Sequence, residues 1–404
     1  MMQKFIDYTE DPAKVAAIQK FFGVTYDRRL PLKSIFSNEH SKEESVCMVR
    51  RTSLTHSQDL TNNVINRDNN CINDGPSNNS SNHFETGTES ESDRVEGKNY
   101  TIKYKFWYYF FVSVTYLGDV VGYALVLPFL FWNVDAVIGR KLVLVWTAVM
   151  YVGQAVKEVV CRGRPECPPV VRLQKRWSEE YGMPSTHAMA SVALPASLLY
   201  YGIQRFKFHL EFGVLISLVW CILISFSRLY LGMHSILDVI AGFLLSFVLL
   251  IPLLPVMDIV GENLVEYAWS PLVMIILSLF FILVYPKPRG PMTSHSKTDT
   301  TIILATGVGV ETGCLLNYQL NIVQKSSLGS YFVIVPGWKT IGLIAVRTIL
   351  GLACIFASFV IFELVTKFTY WILNKTKVFR EDTGRSNQKI PIVDLCLKAS
   401  YLTE

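Results

Sequence analysis

Charged residues are scarce in this chain. Asp, Glu, Lys and Arg make up 18% of its 404 residues, where soluble chains carry about a quarter. Half of the residues are hydrophobic and the mean hydropathy is +0.31. This shortage argues against a string of soluble domains. A surplus of one charge is also missing: the formal charge is +5, which makes no case for nucleic-acid binding. The eight cysteines show no zinc-ligand spacing, and Cys221, Cys314 and Cys354 lie in apolar runs where packing accounts for them. No internal repeat is evident. Residues 1–40 mix charges throughout and have no apolar core, so no removable signal peptide is expected and targeting falls to a transmembrane helix.

What the chain does have is long apolar blocks. A bilayer core of about 30 Å takes roughly 20 helical residues to cross. Phe106–Trp132, Leu142–Val160, Ala188–Ile203, Leu210–Phe226, Ile236–Met257, Trp269–Tyr285, Thr301–Leu316 and Ile341–Phe368 approach that length. They predict an all-α, polytopic transmembrane bundle of about eight spans. Pro195, Pro252 and Pro255 are expected to kink their helices, which packed neighbours tolerate. Residues 1–103 read as a polar, largely disordered tail. Asn, Ser, Asp and Glu dominate Asn62–Asp93, and such a stretch buries too little apolar area to offset its ordering entropy. Residues 104–260 read as the membrane core, 261–374 as further transmembrane helices and 375–404 as a polar tail.

Ionisable groups beside membrane spans are costly, which makes them functional candidates. They gather in three places: Lys157 with Arg164-Pro165, Pro184-Ser185-Thr186-His187, and Ser227-Arg228 followed by His234 and Asp238. Alternating spans put all three at one face. Lys157, Arg164 and Arg228 would form a cationic cradle, two of them with guanidinium forks suited to phosphate oxygens. His234 and Asp238 are four residues apart and share a helix face, so the carboxylate can hold one imidazole nitrogen protonated and leave the other as a nucleophile. His187 remains for general acid and base work. Ser185 and nearby backbone amides can add neutral donors. This set specifies phosphoryl transfer through a phosphohistidine. No metal or other cofactor is expected, because three cations beside one carboxylate repel a divalent ion. Taken singly, Lys157 or Arg162 reads as a snorkelling anchor, His209 as interfacial, and His40, His56, His83 and His295 as surface residues.

These residues in this order match the tripartite signature of the type 2 phosphatidic acid phosphatase superfamily, which the chain resembles over residues 157–238. The resemblance implies a six-helix phosphatase core, His234 as nucleophile, Asp238 as its orienting partner and His187 as leaving-group acid. It also implies phosphate binding by Lys157, Arg164 and Arg228, support from Ser185 and Thr186, and no metal. Thr186 stands where the family usually has glycine, which permits close backbone approach to phosphate. The Pro-Ser-Thr-His form after Gly182-Met183 is similar to the branch that dephosphorylates sphingoid long-chain base 1-phosphates in the endoplasmic reticulum membrane. Phosphatidate or another lipid phosphate is the alternative substrate, and a binding or transport protein without turnover is the rival class. Glu363, in the last apolar block, is a candidate contact for a substrate amine. The membrane face is contested. Lys98, Lys103 and Lys105 favour a cytosolic N-terminus, whereas the resemblance favours a luminal site. A luminal site is the expectation, and the Asn99-Tyr100-Thr101 sequon is its marker.

Overall fold

The computed structural model describes residues 2–26, 100–174, 180–287, 296–322 and 337–375. The readings made on Asn62–Asp93, His40, His56, His83, His295 and the 375–404 tail lie outside them, Lys375 excepted. The chain divides into two units, Met1–Thr25 with Ile102–Glu404, and Tyr26–Thr101. Of the second unit only Tyr26, Tyr100 and Thr101 are described, and all of the described helices lie in the first.

Two short helices open the chain, α1 (Met2–Glu10) and α2 (Pro12–Phe21). Asp11 caps α2 by accepting from the Ala13 amide, and Pro12 supplies a preset first turn. The expectation of a tail without order therefore fails for these residues: Val15 and Gln19 are buried. Short strands follow, β1 (Val24–Tyr26) and β2 (Tyr100–Ile102). The Gly23 carbonyl accepts from the Lys103 amide at 2.8 Å.

The bundle comprises α3 (Lys105–Leu117), α4 (Val120–Asn133), α5 (Ala136–Val160), α6 (Thr186–Arg205), α7 (Leu210–Tyr230), α8 (Ile236–Glu266), α9 (Ser270–Val284), α10 (Ser296–Gln319) and α11 (Trp338–Lys375). Each of the eight expected segments is helical. Among the described residues five helices, α5, α7, α8, α10 and α11, are long and apolar enough to cross a membrane, and α3 with α4 makes a sixth if the bent pair is one span. The chain is thus a multi-pass membrane protein. The shortfall from eight lies in α6 and α9. Helix α6 is enclosed by its neighbours, with Ala188, Met189, Ala193 and Ser197 fully or almost fully buried, so it has less need of lipid-facing side chains. Helix α9 has only 15 residues. The expected Phe106–Trp132 span breaks at Gly118-Asp119 and bends by 56°, because Asp119 starts a new helix by accepting from the Val120 amide.

Helix α5 is the central element. Leu142, Val145 and Val149 are 0% exposed, and they share a core with Tyr123 and Leu127 of α4, Met189 and Ala193 of α6, Leu250 of α8 and Ile303 of α10. The outer faces of α7 and α8 carry exposed Phe212, Ile216, Phe247 and Ile251, as helices facing acyl chains do. Away from the end that holds Lys157, Arg228 and His234, ion pairs join the helices: Arg140 to Glu311 at 3.3 Å, Lys141 to Asp258 at 2.5 Å and Arg205 to Asp135 at 2.8 Å. Such pairing is what a low-dielectric interior demands of charge.

Candidate active site

Four helix ends meet at one end of the bundle: the C-termini of α5 and α7 and the N-termini of α6 and α8. The turns there are built from caps. Helix α5 ends at Cys161, in the left-handed region at φ 52°, with its amide on the Lys157 carbonyl. Ser185 caps α6 by accepting from the Ala188 amide. Ser235 and Asp238 form a capping box on α8: Ser235 Oγ accepts from the Asp238 amide at 3.2 Å, and Asp238 Oδ2 accepts from the Ser235 amide at 2.7 Å. The Ser185 amide donates to the Asp238 carbonyl at 3.1 Å and joins the two helix starts.

Lys157, Arg164, Ser185, Thr186, Arg228, His234 and Asp238 are each at most 7% exposed, and Lys157, Arg164, Arg228 and His234 all lie within electrostatic reach of His187. His234 is held at Nδ1 by the Gly182 carbonyl, 2.8 Å away. That acceptor selects the tautomer protonated at Nδ1. Nε2 then carries no proton and accepts from Arg164 Nη1 at 3.5 Å. Burial, then Arg164, Arg228 and Lys157, keep the imidazole well below its ordinary pKa, so it is neutral and nucleophilic near pH 7. The expected partnership with Asp238 is looser than the spacing suggested. Asp238 Oδ2 is 3.7 Å from His234 Nδ1, and its short bond goes to the capping box instead. The carboxylate can stabilise an imidazolium by charge, while the Gly182 carbonyl sets ring orientation.

The cations differ in their partners. Arg164 donates from Nε to the Glu180 carbonyl at 2.9 Å and from Nη1 to the Met233 carbonyl at 2.7 Å, which fixes its fork beside His234. Burial pushes this guanidinium down to about 10, opposed by Glu180 and then Asp238. Arg228 Nη1 donates to Gln174 Oε1 at 3.0 Å, and its Nε has no hydrogen-bond partner among the described residues. Lys157 donates to Glu180 Oε2 at 3.2 Å. Buried guanidinium groups without a directly bonded carboxylate are costly, so this end of the bundle favours an anion. His187 Nε2 is also enclosed and lacks a partner among the described residues. Thr186, expected as a phosphate contact, has its methyl turned towards α5: a Cβ on Gly153 would come within 3.1 Å of it.

Sequence reasoning missed several residues here. Glu180 and Gln174 belong to no motif, and their only signal was polarity in the loop between two motifs. Asp119, one acidic residue inside the apolar Phe106–Trp132 block, lies within electrostatic reach of Arg228. Gln19 is the least foreseeable. It is 1% exposed, donates to the Val171 and Tyr230 carbonyls at 2.7 and 2.9 Å, and accepts from the Val171 amide at 2.9 Å. It thereby ties α2 to the loop that carries Arg164 and to the end of α7. Arg162 pairs with Glu10 of α1. His209 makes only an edge contact with Phe212, and Glu363 pairs with Lys367 at 2.6 Å on an exposed part of α11, so neither joins this site. Among the described residues no group of three or more His, Cys, Asp or Glu side chains could hold a metal ion.

Comparison with known proteins places the same segment in a family context. Residues 139–260 match the PAP2 superfamily. The chain is 38% identical over 231 residues to mouse sphingosine-1-phosphate phosphatase 2, covering 57% of this chain and 65% of that protein. It is 39% identical over 229 residues to the human protein of the same name, covering 56% and 57%. A dihydrosphingosine 1-phosphate phosphatase of Saccharomyces cerevisiae is 26% identical over 259 residues, covering 62% and 64%. The chain thus spans less than two thirds of these relatives' length. No solved structure matches it.

Proposed function

We propose that this chain, with its PAP2 superfamily domain at 139–260, is a phosphomonoesterase of lipid phosphates. Its substrates on this reading are sphingoid long-chain base 1-phosphates, hydrolysed in the endoplasmic reticulum membrane. The observation that carries it is the geometry of His234: Nδ1 held by the Gly182 carbonyl, and Nε2 turned to Arg164 inside the cationic cradle. A binding or transport protein would need the cradle but not that nucleophile. The names of the relatives support the choice of lipid.

The chemistry proceeds in two displacements. Lys157, Arg164 and Arg228 hold the phosphate oxygens and offset the charge that develops on them. His234 Nε2 attacks phosphorus, a P–N bond forms, and the ester P–O bond breaks as His187, which takes up a proton once the bound phosphate offsets the neighbouring cations, gives that proton to the leaving alkoxide. Asp238 stabilises the positive imidazole. His187, now neutral, takes a proton from water as that water attacks phosphorus. The P–N bond then breaks, and inorganic phosphate leaves with both histidines restored.

Phosphate release from a panel of lipid phosphates tests the reading. Long-chain base phosphates are expected to exceed phosphatidate, with His234→Ala at background. EDTA is expected to leave activity intact. Vanadate is expected to inhibit, since its five-coordinate form resembles the transferring phosphoryl group. Preference for phosphatidate would overturn the lipid assignment, and strict dependence on an added divalent metal would overturn the mechanism.

A further inference from the structure

Glu180 is an odd resident of a phosphate cradle. It lies at the end of the loop between the first two motifs, its side chain is 6% exposed, and its Oε2 pairs with Lys157 Nζ at 3.2 Å. Its other oxygen, Oε1, is enclosed and has no hydrogen-bond partner among the described residues. Its backbone carbonyl holds Arg164 Nε, so the carboxylate belongs to the same small volume as the phosphate-binding cations. An ionised carboxylate only accepts hydrogen bonds, and an enclosed, unfilled acceptor is unfavourable. A dianionic phosphate does not fill it, because its oxygens are acceptors too and carry the same charge. Left to itself, Glu180 would weaken the binding of any phosphate monoester.

We infer that Glu180 is a specificity residue that receives the ammonium of the substrate. The inference rests on the phosphatase reading and deepens it: the preferred substrate carries a primary amine on the carbon next to the phosphate-bearing carbon. When the phosphate enters, its oxygens take Lys157 as a ligand. The ammonium, held close to the phosphate by the short carbon link, replaces Lys157 as the cation beside Glu180 and supplies a donor to Oε1. A phosphate ester without the amine takes Lys157 from Glu180 and returns nothing, leaving a buried carboxylate against its own negative charge. Selection of this type works by penalising the wrong ligand as much as by attracting the right one.

Three single-chain phosphates of equal length test it on the full-length protein in detergent micelles: one with the free 2-amine, one with that amine acetylated and one without it. Wild type is expected to favour the free amine by about tenfold or more in kcat/KM over the other two, the value of one charge-assisted contact. In Glu180→Gln that ratio is expected to collapse by about the same factor, and in Glu180→Asp, which keeps the charge, to be largely retained. If the carboxylate served only to balance Lys157, the amide would lower all three substrates together and leave the ratio unchanged, which overturns the inference. So does a wild-type enzyme indifferent to the amine, a result read without any variant and independent of whether Glu180→Gln folds. Release of phosphate from none of the three by wild type overturns the phosphatase reading and this inference with it, whereas release without amine preference overturns the inference alone.

Discussion

At the scale of residues, three side chains divide the chemistry by their contacts. On the proposed mechanism His234→Ala removes the nucleophile, so rapid quench with labelled substrate is expected to show neither labelled protein nor product. His187→Ala impairs both displacements, but a substrate with a good leaving group needs little acid in the first. With it the variant is expected to accumulate acid-labile phosphate on His234, detected by mapping the labelled peptide; label on Ser185 would refute His234 as the nucleophile. Asp238→Asn is the finer test. Replacing the aspartate of a buried Asp–His pair costs about 10⁴-fold in kcat when that carboxylate sets the tautomer. In this site the Gly182 carbonyl at 2.8 Å sets it, with Asp238 farther off at 3.7 Å. The expected loss is about 10²-fold, arising from weaker imidazolium stabilisation. A loss as large as that of His234→Ala would show that Asp238, not Gly182, orients the ring.

At the scale of elements, the short helix α2 acts as a brace on the loop that carries Arg164. Its Gln19 makes three hydrogen bonds to backbone groups of Val171 and Tyr230. Phe22, just beyond the helix, meets the rings of Trp107, Phe111, Phe226 and Tyr230. The close fit extends to Gly232, at φ +67°, where a Cβ would collide with the Val171 carbonyl oxygen, so only glycine suits that turn. Gln19→Ala leaves those backbone groups enclosed and unpaired, at roughly 3 kcal/mol of local stability. Faster amide exchange across 161–174 and a roughly tenfold lower kcat/KM are expected, because each 1.4 kcal/mol of lost positioning is about a factor of ten. Unchanged exchange in that loop would show that α2 is not a brace. The tail assignment failed here for a physical reason: a helix this short, with a weakly amphipathic pattern, folds only when a partner surface is present.

At the scale of the whole molecule, the contacts of the bent α3–α4 pair fix the end of the bundle at which α3 starts. Phe111 of α3 packs on Tyr230, Thr115 Oγ1 donates to Ser227 Oγ at 2.8 Å, and a Cβ on Gly118 would lie 3.0 Å from Ile224. Helix α3 therefore starts at the catalytic end and runs antiparallel to α7. Asp135, following α4, pairs with Arg205 at the other end of α6. If the pair is one crossing and α5 the return, the chain's first helices and the 161–187 and 227–235 loops share a face. A luminal site then requires a luminal N-terminal tail. Sequons at Asn78-Asn79-Ser80 and Asn79-Ser80-Ser81 stand well before the first span, and Asn99-Tyr100-Thr101 stands near it. A mobility shift removed by endoglycosidase, and by Asn→Gln changes at these sites, is the expected result. Cleavage of the tail by protease added to sealed microsomes would reverse the assignment.

The sequence by itself determined the apolar spans and the identity of the polar residues between them. Lipid tolerates few charges, so Lys157, Arg164, Arg228, His234 and Asp238 stood out from an apolar background with no need of coordinates. It could not determine which acceptor holds His234 or that Glu180 enters the cradle. A backbone carbonyl such as Gly182's is the same atom in every residue and leaves no mark on composition, and Glu180 is one glutamate in a polar loop until folding brings it to Lys157. Nor could it count crossings through Phe106–Trp132, because a 56° bend depends on Asp119 capping a new helix against packed neighbours. Those decisions belong to the tertiary structure, where contacts between residues far apart in the chain select among local options that the sequence leaves nearly equal in energy.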